Sequence, residues 1–357
     1  MAAFAPEIVH RRLLAEARPA LAFDAGQPLA RQGEPLRAKL AELLAVPTRR
    51  PPAVTLAADD TRDGVRERRL VVTAEPGAEV PCHLLTPAGA GGTLPLAVCL
   101  QGHTPGMHIS LGRPRDEAER RLTEGGRDYA RQALAHGWAA LTVELRGFGE
   151  RRDRRTDTAR DGPVEPDSVD PNVTCKHAAM VALLLGRTSL GEKNLDLRAA
   201  LDALEGFPEI DRSRIWCIGN SGGGTLGWYA AAVEPRIAGL ALGSFLCTFA
   251  ASIGSVDHCC DNYLPGALRW FDLPDLAMLV APRPLVVVQG AADRLFPLAG
   301  VETAFARVRA IYAAARAADR CRLMVCRGGH RFYAEEAWGA VRALTAEPSR
   351  TLEVVAS

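Results

Sequence analysis

Short apolar runs alternate along this chain with segments whose apolar residues recur at helical spacing. In the runs, hydrophobic residues occupy consecutive positions rather than every second one, as in residues 284–289 (PLVVVQ). Such runs are typical of strands buried on both faces of a mostly parallel sheet. The segments between them have the period of helices, which would cover both faces. We therefore predict an α/β fold with a mostly parallel, twisted sheet and helices on both sides.

The same pattern divides the chain into two parts. Residues 1–65 are interrupted by prolines, and residues 34–45 have one apolar helical face made by Leu36, Leu40, Leu43 and Leu44. Because this segment has too little apolar surface to fold alone, we predict an N-terminal helical wrap. Residues 66–350 are predicted to form the α/β domain, with a long polar excursion at 153–173 and a lid-like insertion at about 246–275. The predicted strands are residues 69–73, 80–85, 96–101, 138–145, 215–218, 237–244, 284–289 and 322–326.

One stretch has the pattern of a nucleophile turn. Residues 214–234 (RIWCIGNSGGGTLGWYAAAVE) contain an apolar strand, a glycine-rich turn and an alanine-rich helix. Ser221 is the serine of a G-x-S-x-G pattern, in which a sharp strand-to-helix turn projects the hydroxyl clear of the sheet. The helix N-terminus would direct its positive end toward negative charge that develops there. We predict that Ser221 is a catalytic nucleophile; the alternative is a glycine-rich turn with an ordinary serine.

A serine nucleophile needs a base, and the base needs an orienting carboxylate. Asp293 follows the apolar strand at 284–289, and His330 follows the last predicted strand. This order of Ser, Asp and His accompanies a G-x-S-x-G turn, so we predict a triad. The alternatives are a turn-capping role for Asp293 and a surface-loop role for His330. Asp272 and Asp275 are rival acids, but they precede the strand that the acid should follow.

Acyl transfer also needs hydrogen-bond donors for the developing oxyanion. The backbone N–H of Gly222, directly after the nucleophile, is one predicted donor. The second should come from the loop after an early strand, here residues 100–103 (LQGH). The backbone N–H of His103 is the first candidate and that of Thr104 the second. The His103 ring either contacts substrate or has a structural role in the loop.

Four further side chains are predicted to line the substrate pocket. Glu144 and Arg146 lie at the end of a strand, and an internal ion pair is the alternative for them. His258 and Trp270 lie in the insertion, where Trp270 would supply an apolar wall.

The insertion also places four potential metal ligands in a row, residues 258–261 (HCCD). Adjacent residues rarely converge on one tetrahedral ion, so we predict no metal here.

Charge and cysteine content narrow the function classes. The 357-residue chain has a net charge of +1 and no basic stripe, which argues against a nucleic-acid partner. Its longest apolar stretch, residues 237–253, is interrupted by Gly, Ser and Thr, so we predict no membrane span. Cys99, Cys217, Cys247 and Cys326 lie in apolar runs, which indicates buried thiols rather than a disulfide framework. With no signal-peptide pattern, we expect a cytoplasmic protein.

Together, residues 219–223, 290–293 and 328–330 resemble the α/β-hydrolase superfamily, over about residues 66–345. More narrowly, several segments are similar to bacterial esterases of the acetyl xylan esterase and dienelactone-hydrolase-like groups. These segments are LQGH (100–103), RGFGE (146–150), HCCDNYLPG (258–266), APRPLVVVQGAAD (281–293) and GGHRF (328–332). The resemblance implies an α/β-hydrolase fold and an ester hydrolase without metal or organic cofactor. The His-Gly-Tyr oxyanion loop of sugar deacetylases is replaced here by residues 101–103 (QGH).

These observations predict a serine carboxylic ester hydrolase that acts through an acyl-enzyme, on an acetylated carbohydrate or another small ester. A small-molecule ester is thus the expected partner, and a homo-oligomeric state stays open. A serine peptidase or amidase, for example of the prolyl-oligopeptidase type, is an alternative, although the short N-terminal segment leaves no room for a β-propeller. Carbon–carbon bond hydrolysis or lyase chemistry uses the same triad and is not excluded. A ligand-binding protein on a hydrolase scaffold is a further alternative, disfavoured by the intact Ser, Asp and His.

Overall fold

A computed structural model of the protein describes residues 5–48, 50–152 and 171–346, with residues 171–173 described by their backbone alone. The predicted excursion at 153–173 lies almost entirely outside these residues. The strands are β1 (Ala53–Arg62), β2 (Val65–Glu75), β3 (Ala78–Pro87), β4 (Leu94–Leu100), β5 (Ala139–Val143), β6 (Ile210–Asn220), β7 (Ile237–Gly243), β8 (Leu285–Gly290) and β9 (Cys321–Cys326). The helices are α1 (Pro6–Glu16), α2 (Leu29–Leu44), α3 (Glu117–Leu122), α4 (Tyr129–Ala135), α5 (Pro171–Leu184), α6 (Ser189–Ala203), α7 (Gly222–Val233), α8 (Ala277–Val280), α9 (Leu298–Ala314) and α10 (Ala334–Thr345).

Within the described ranges the strands form one nine-stranded sheet, in the order β1-β2-β3-β5-β4-β6-β7-β8-β9. The first three strands are antiparallel, and β3 also pairs with β5 in antiparallel fashion. Every neighbouring pair from β5 to β9 is parallel. The prediction of an α/β fold with a mostly parallel sheet is therefore confirmed.

Strand β4 shows why the apolar runs predict a sheet covered on both faces. Its Leu96, Val98 and Leu100 belong to one hydrophobic core. The residues between them, Ala97 and Cys99, belong to a second core on the other face. Because successive side chains of a strand point to opposite faces, a continuous apolar run is what burial on both sides requires.

The N-terminal segment contains the predicted helix and also a strand. Helix α2 buries Leu36, Leu40 and Leu44 against the main core, as the spacing of its leucines predicts. Strand β1 lies inside the segment predicted to be a helical wrap, and that part of the prediction is wrong. The whole of β1 is exposed, and its apolar alternation is limited to Val54 and Leu56, too short to indicate a buried strand. Backbone pairing with β2 holds it at the sheet edge.

The predicted insertion at 246–275 is mainly irregular, with short 3-10 turns at Cys260–Asn262, Ala267–Arg269 and Leu273–Leu276. All nine cysteines are free, and the four predicted to be buried, Cys99, Cys217, Cys247 and Cys326, are buried. None of the helices within the described ranges has the length and apolar character needed to cross a membrane.

Candidate active site

Ser221 occupies the sharp turn between β6 and α7. Its φ of 59° and ψ of −125° lie in a region that non-glycine residues rarely adopt. Glycine permits the close packing around it, since a Cβ on Gly219 would lie only 2.6 Å from the carbonyl oxygen of Leu100. Ser221 is the N-cap of the 12-residue helix α7, whose positive end is therefore at the turn. The local conformation is that of a nucleophile turn.

His330 and Asp293 meet at the carboxyl ends of neighbouring strands. Asp293 follows β8, and His330 follows β9. His330 Nδ1 lies 2.8 Å from Asp293 Oδ2, while Asp293 Oδ1 accepts the backbone N–H groups of Leu295 and Phe296. Burial alone would raise the pKa of Asp293, but the hydrogen bonds from His330 and these N–H groups hold it below its usual range. The aspartate is thus an ionised partner that fixes the histidine ring.

Ser221 and His330 line one cavity of about 830 Å³. Among the described residues, no hydrogen bond joins the Ser221 hydroxyl to the His330 ring. The insertion supplies much of the wall, and Arg127 and Lys176 add positive charge. The lining residues are Gly102, His103, Arg127, Lys176, Leu183, Asn220, Ser221, Asp257, His258, Cys259, Cys260, Asn262, Tyr263, Leu295 and His330.

The structure distinguishes between the two candidate donors in the loop after β4. The backbone N–H of Thr104 donates to the carbonyl of Gly102 at 2.9 Å, so it is already engaged. The His103 ring lies 3.1 Å from a Cβ built on Gly222, and its neighbour Gly102 would place a Cβ 3.3 Å from the Cβ of Ser221. As the first residue of α7, Gly222 has a backbone N–H without an acceptor in the helix. The predicted donors Gly222 and His103 therefore lie beside the serine.

The His103 ring belongs to a buried chain of charged groups that the sequence did not reveal. His103 Nε2 lies 3.0 Å from Asp261 Oδ1, and Lys193 Nζ lies 2.6 Å from Asp261 Oδ2. Burial alone would lower the pKa of His103, but its hydrogen bonds with Asp261 and Cys259 raise the pKa to about 9. Burial would raise the pKa of Asp261, yet the charges of Lys193 and His103 keep it below its usual range.

The His103 ring is one of four potential metal ligands that lie close together. One ligand atom each from His103, Cys175, Cys259 and Asp261 lies within 4.8 Å of the others. The sulfurs of Cys175 and Cys259 are 3.1 Å apart, whereas two thiolates on one tetrahedral zinc are about 3.8 Å apart. Lys193 already supplies a cation to Asp261. The arrangement therefore fits a hydrogen-bonded cluster better than a zinc site.

The side chains of residues 258–261 (HCCD) point in different directions and have different neighbours. Cys259 and Asp261 point toward His103, whereas the thiol of Cys260 donates to the carbonyl of Lys176. The His258 ring lies 3.1 Å from Ser252 Oγ and packs edge-on against Phe296. His258 lines the cavity, as expected of a substrate-binding residue.

The other three predicted pocket residues lie elsewhere, which corrects their placement. Glu144 is buried, accepts the backbone N–H of Met107 at 3.0 Å, and has its pKa raised to about 7 by that burial. Arg146 makes an internal ion pair with Asp196, the alternative that the sequence left open. Trp270 packs against the core, with the ammonium of Lys39 4.1 Å from its ring centroid. Strand-end position alone did not distinguish such internal groups from pocket walls.

The rival acids Asp272 and Asp275 have a structural role. They form a reciprocal capping box at the 3-10 turn Leu273–Leu276. Asp272 also accepts the backbone N–H of Phe249, and Asp275 pairs with Arg307. Neither is among the residues that line the cavity.

Known proteins resemble this chain both in sequence and in fold. Its sequence is 27% identical over 304 residues to YtaP, a candidate hydrolase of Bacillus subtilis (strain 168), covering 80% of this chain and 89% of the relative. A candidate acetyl xylan esterase from Bacteroides fragilis NCTC 9343 superposes with a TM-score of 0.78 at 18% identity, covering 96% of both chains. A glucuronoyl esterase from Solibacter usitatus gives a TM-score of 0.64 at 16% identity, covering 92% of this chain and 98% of that one.

The sequence profile of the Abhydrolase family matches residues 4–310, which is most of the chain. The predicted resemblance to α/β-hydrolases is thereby confirmed, and the solved structures support the same fold. The chain belongs to the Abhydrolase family.

Proposed function

We propose that this protein is a serine carboxylic ester hydrolase that acts through an acyl-enzyme. The observation that carries the proposal is the hydrogen bond of 2.8 Å between His330 and Asp293, on a cavity whose wall also includes Ser221 in its strained turn. Because Nδ1 of the His330 ring is hydrogen-bonded to Asp293, Nε2 can accept the proton of the serine hydroxyl.

In the proposed acylation step, Ser221 Oγ attacks the acyl carbon while His330 accepts the hydroxyl proton. Asp293 holds the ring and stabilises the imidazolium that forms. The electron pair of the carbonyl moves onto its oxygen, where the backbone N–H groups of Gly222 and His103 would bind it. Collapse of this intermediate expels the alcohol, which takes the proton from His330. Water then attacks the acyl-enzyme by the same route and releases the acid.

For the substrate, we propose an acetylated carbohydrate or another small polar ester. The cavity is open enough for a group larger than the acyl chain, and its lining is rich in polar and charged side chains. The names of the structural neighbours, an acetyl xylan esterase and a glucuronoyl esterase, are compatible with such a substrate. Residues 101–103 (QGH) differ from the His-Gly-Tyr loop of sugar deacetylases, so the substrate screen includes esters whose alcohol part is not a sugar.

The decisive experiment compares the wild type with Ser221→Ala on p-nitrophenyl acetate. We expect turnover in the wild type and a loss of about 10⁵-fold or more in the variant. A fluorophosphonate probe should label the wild type and not Ser221→Ala. Retained turnover in a folded Ser221→Ala protein would refute the proposal. A parallel screen of acetyl sugars, aryl esters, lactones, amides and carbon–carbon bond substrates would then define the substrate class.

A further inference from the structure

We propose that the ring of His103 is itself a catalytic group, an imidazolium whose Nδ1–H donates to the oxyanion beside the backbone N–H of Gly222. This inference rests on the proposed esterase function and assigns an additional donor to the same site. Asp261 and Lys193 would be its positioning residues.

The orientation of the ring is the first support. A Cβ built on Gly222 would lie 3.1 Å from His103 Nδ1 and 3.2 Å from Cε1, so this edge of the ring packs against the residue that follows the nucleophile. The opposite nitrogen, Nε2, faces Asp261 at 3.0 Å. The ring also packs edge-on against Phe148, with centroids 5.4 Å apart. The ring is therefore held on several sides, with Nδ1 on the side of the predicted oxyanion hole.

The charge of the ring follows from its hydrogen bonds. If Nε2 donates to Asp261, a neutral ring has only a lone pair at Nδ1, which would repel an oxyanion. A protonated ring has an N–H there and attracts one. Asp261 favours the protonated form because its carboxylate is buried, with a side chain only 1% exposed, and accepts from both His103 and Lys193. A preorganised cation in a low-dielectric site is the kind of group that stabilises charge in a transition state.

Other titratable groups near the ring also affect the protonation of His103. Cys259 hydrogen-bonds the ring, and Cys175 lies behind it. The hydrogen bond from Cys175 lowers the pKa of Cys259 against the effect of burial, and a thiolate there would favour the imidazolium further. Positive charge opposes the imidazolium of His103. It comes from Lys193 and, when their rings are protonated, from His258 and His330. Of the two groups that hydrogen-bond the ring, Asp261 raises the pKa of His103 more than Cys259 does.

The His103 ring makes no covalent bond in the proposed reaction. As Ser221 Oγ bonds the acyl carbon, the carbonyl electron pair becomes the oxyanion and the serine proton moves to His330. His103 keeps its own protons throughout and supplies a hydrogen bond and a positive charge. When the intermediate collapses, the electron pair returns to the carbonyl and the bond from His103 weakens.

The test is the pH dependence of kcat/KM for p-nitrophenyl acetate, corrected for spontaneous hydrolysis. The cationic ring is present below its pKa, so the wild-type rate should fall as pH rises through about 9. In Asp261→Asn the pKa of the ring should return toward the ordinary value of about 6.5, and the fall should start about two pH units lower. In His103→Ala we expect kcat to fall about 100-fold, KM to stay within a few-fold, and the alkaline fall to disappear.

His258→Gln is the matched control, because His258 lines the same cavity but makes its bonds to Ser252 and Leu295. The His258→Gln substitution can change KM, but kcat/KM should fall at the same alkaline pH as in the wild type. If Asp261→Asn is unstable because Lys193 loses its partner, the double variant Lys193→Met, Asp261→Asn removes both charges together. Two-bond ¹H–¹⁵N spectra of histidine-labelled protein should show His103 protonated on both nitrogens at pH 7.5, independently of activity.

Four results would overturn the inference while leaving the esterase proposal intact. Three of them are an alkaline fall in kcat/KM that Asp261→Asn does not move, a His103→Ala variant changed in KM alone, and a neutral His103 ring at pH 7.5. Stoichiometric zinc in the purified protein, lost in Cys259→Ser, would also overturn it, since a metal-bound ring would be neutral. Turnover retained in Ser221→Ala would instead refute the proposed function itself.

Discussion

Two histidine–aspartate pairs place their rings on the wall of the cavity that Ser221 also lines. In both, a half-buried ring meets a fully buried carboxylate, at 2.8 Å for His330 and Asp293 and at 3.0 Å for His103 and Asp261. His330 is held through Nδ1, and His103 is held through Nε2. Asp293 takes its other hydrogen bonds from backbone N–H groups, whereas Asp261 pairs with the ammonium of Lys193.

A histidine–aspartate pair therefore does not define the role of its histidine by itself. The nitrogen that the carboxylate leaves unused decides what the ring offers to substrate. A ring held through Nδ1 offers Nε2 as a base, while one held through Nε2 in its charged form offers Nδ1–H as a donor.

Asp293→Asn should lower kcat for p-nitrophenyl acetate by about 10⁴-fold, because an amide in place of the carboxylate favours the wrong tautomer of His330. Steady-state kinetics at pH 7.5 would measure this, with circular dichroism to establish that the variant is folded. A loss of less than tenfold would mean that Asp293 is not the orienting acid.

The second prediction concerns stability at the other pair. The pKa of His103 is raised to about 9 in the folded protein, from an ordinary value of 6.5. Its contribution to the free energy of unfolding is therefore complete below pH 6.5 and lost as pH rises through about 9. The shift corresponds to about 3 kcal/mol. Urea unfolding at pH 6 and pH 9.5 should show this loss in the wild type beyond any change in His103→Gln. Equal losses in the two proteins would contradict the assignment.

Gly222→Ala should move the His103 ring without changing any charge. The new Cβ would lie 3.1 Å from Nδ1, which forces the ring aside by a few tenths of an ångström. We expect kcat to fall about tenfold with little change in KM, because a small misplacement of a catalytic group is costly. Gly206→Ala is the control, since a Cβ there meets nothing within 4 Å. Equal activities in the two variants would show that the contact is unimportant.

Local patterns predicted much of the fold and one of the two pairs. Apolar runs identified the strands from β4 to β9, because burial on both faces leaves a continuous apolar sequence. Ser221, Asp293 and His330 each follow such a strand, so the sheet topology brings them to one edge. Strand β1 was not predicted because it is exposed throughout and is held at the sheet edge by backbone pairing and an ion pair between Asp59 and Arg66, not by burial.

The second pair could not be predicted, because its members come from distant segments of the chain. His103 and Asp261 are separated by 158 positions, and Lys193 and Asp261 by 68. The HCCD run drew attention to the right segment, but only the folded chain shows that Cys259 and Asp261 face His103 while His258 and Cys260 do not. The placement of Glu144 and Arg146 in the pocket was wrong for a different reason. Both residues lie at a strand end, but their side chains bind internal partners that the sequence does not reveal.

The smallest effect is expected at an aspartate that serves no histidine. Asp272 lies in the capping box of the 3-10 turn Leu273–Leu276 and accepts the backbone N–H groups of Phe249 and Leu273. Asp272→Asn keeps one acceptor oxygen at that position, so we expect a loss of stability of at most about 1 kcal/mol and a kcat within about twofold of the wild type. Thermal unfolding and the p-nitrophenyl acetate assay, run beside Asp293→Asn, would measure both. A large kcat loss in Asp272→Asn, with Asp293→Asn nearly unaffected, would transfer the orienting role to the acid that precedes β8.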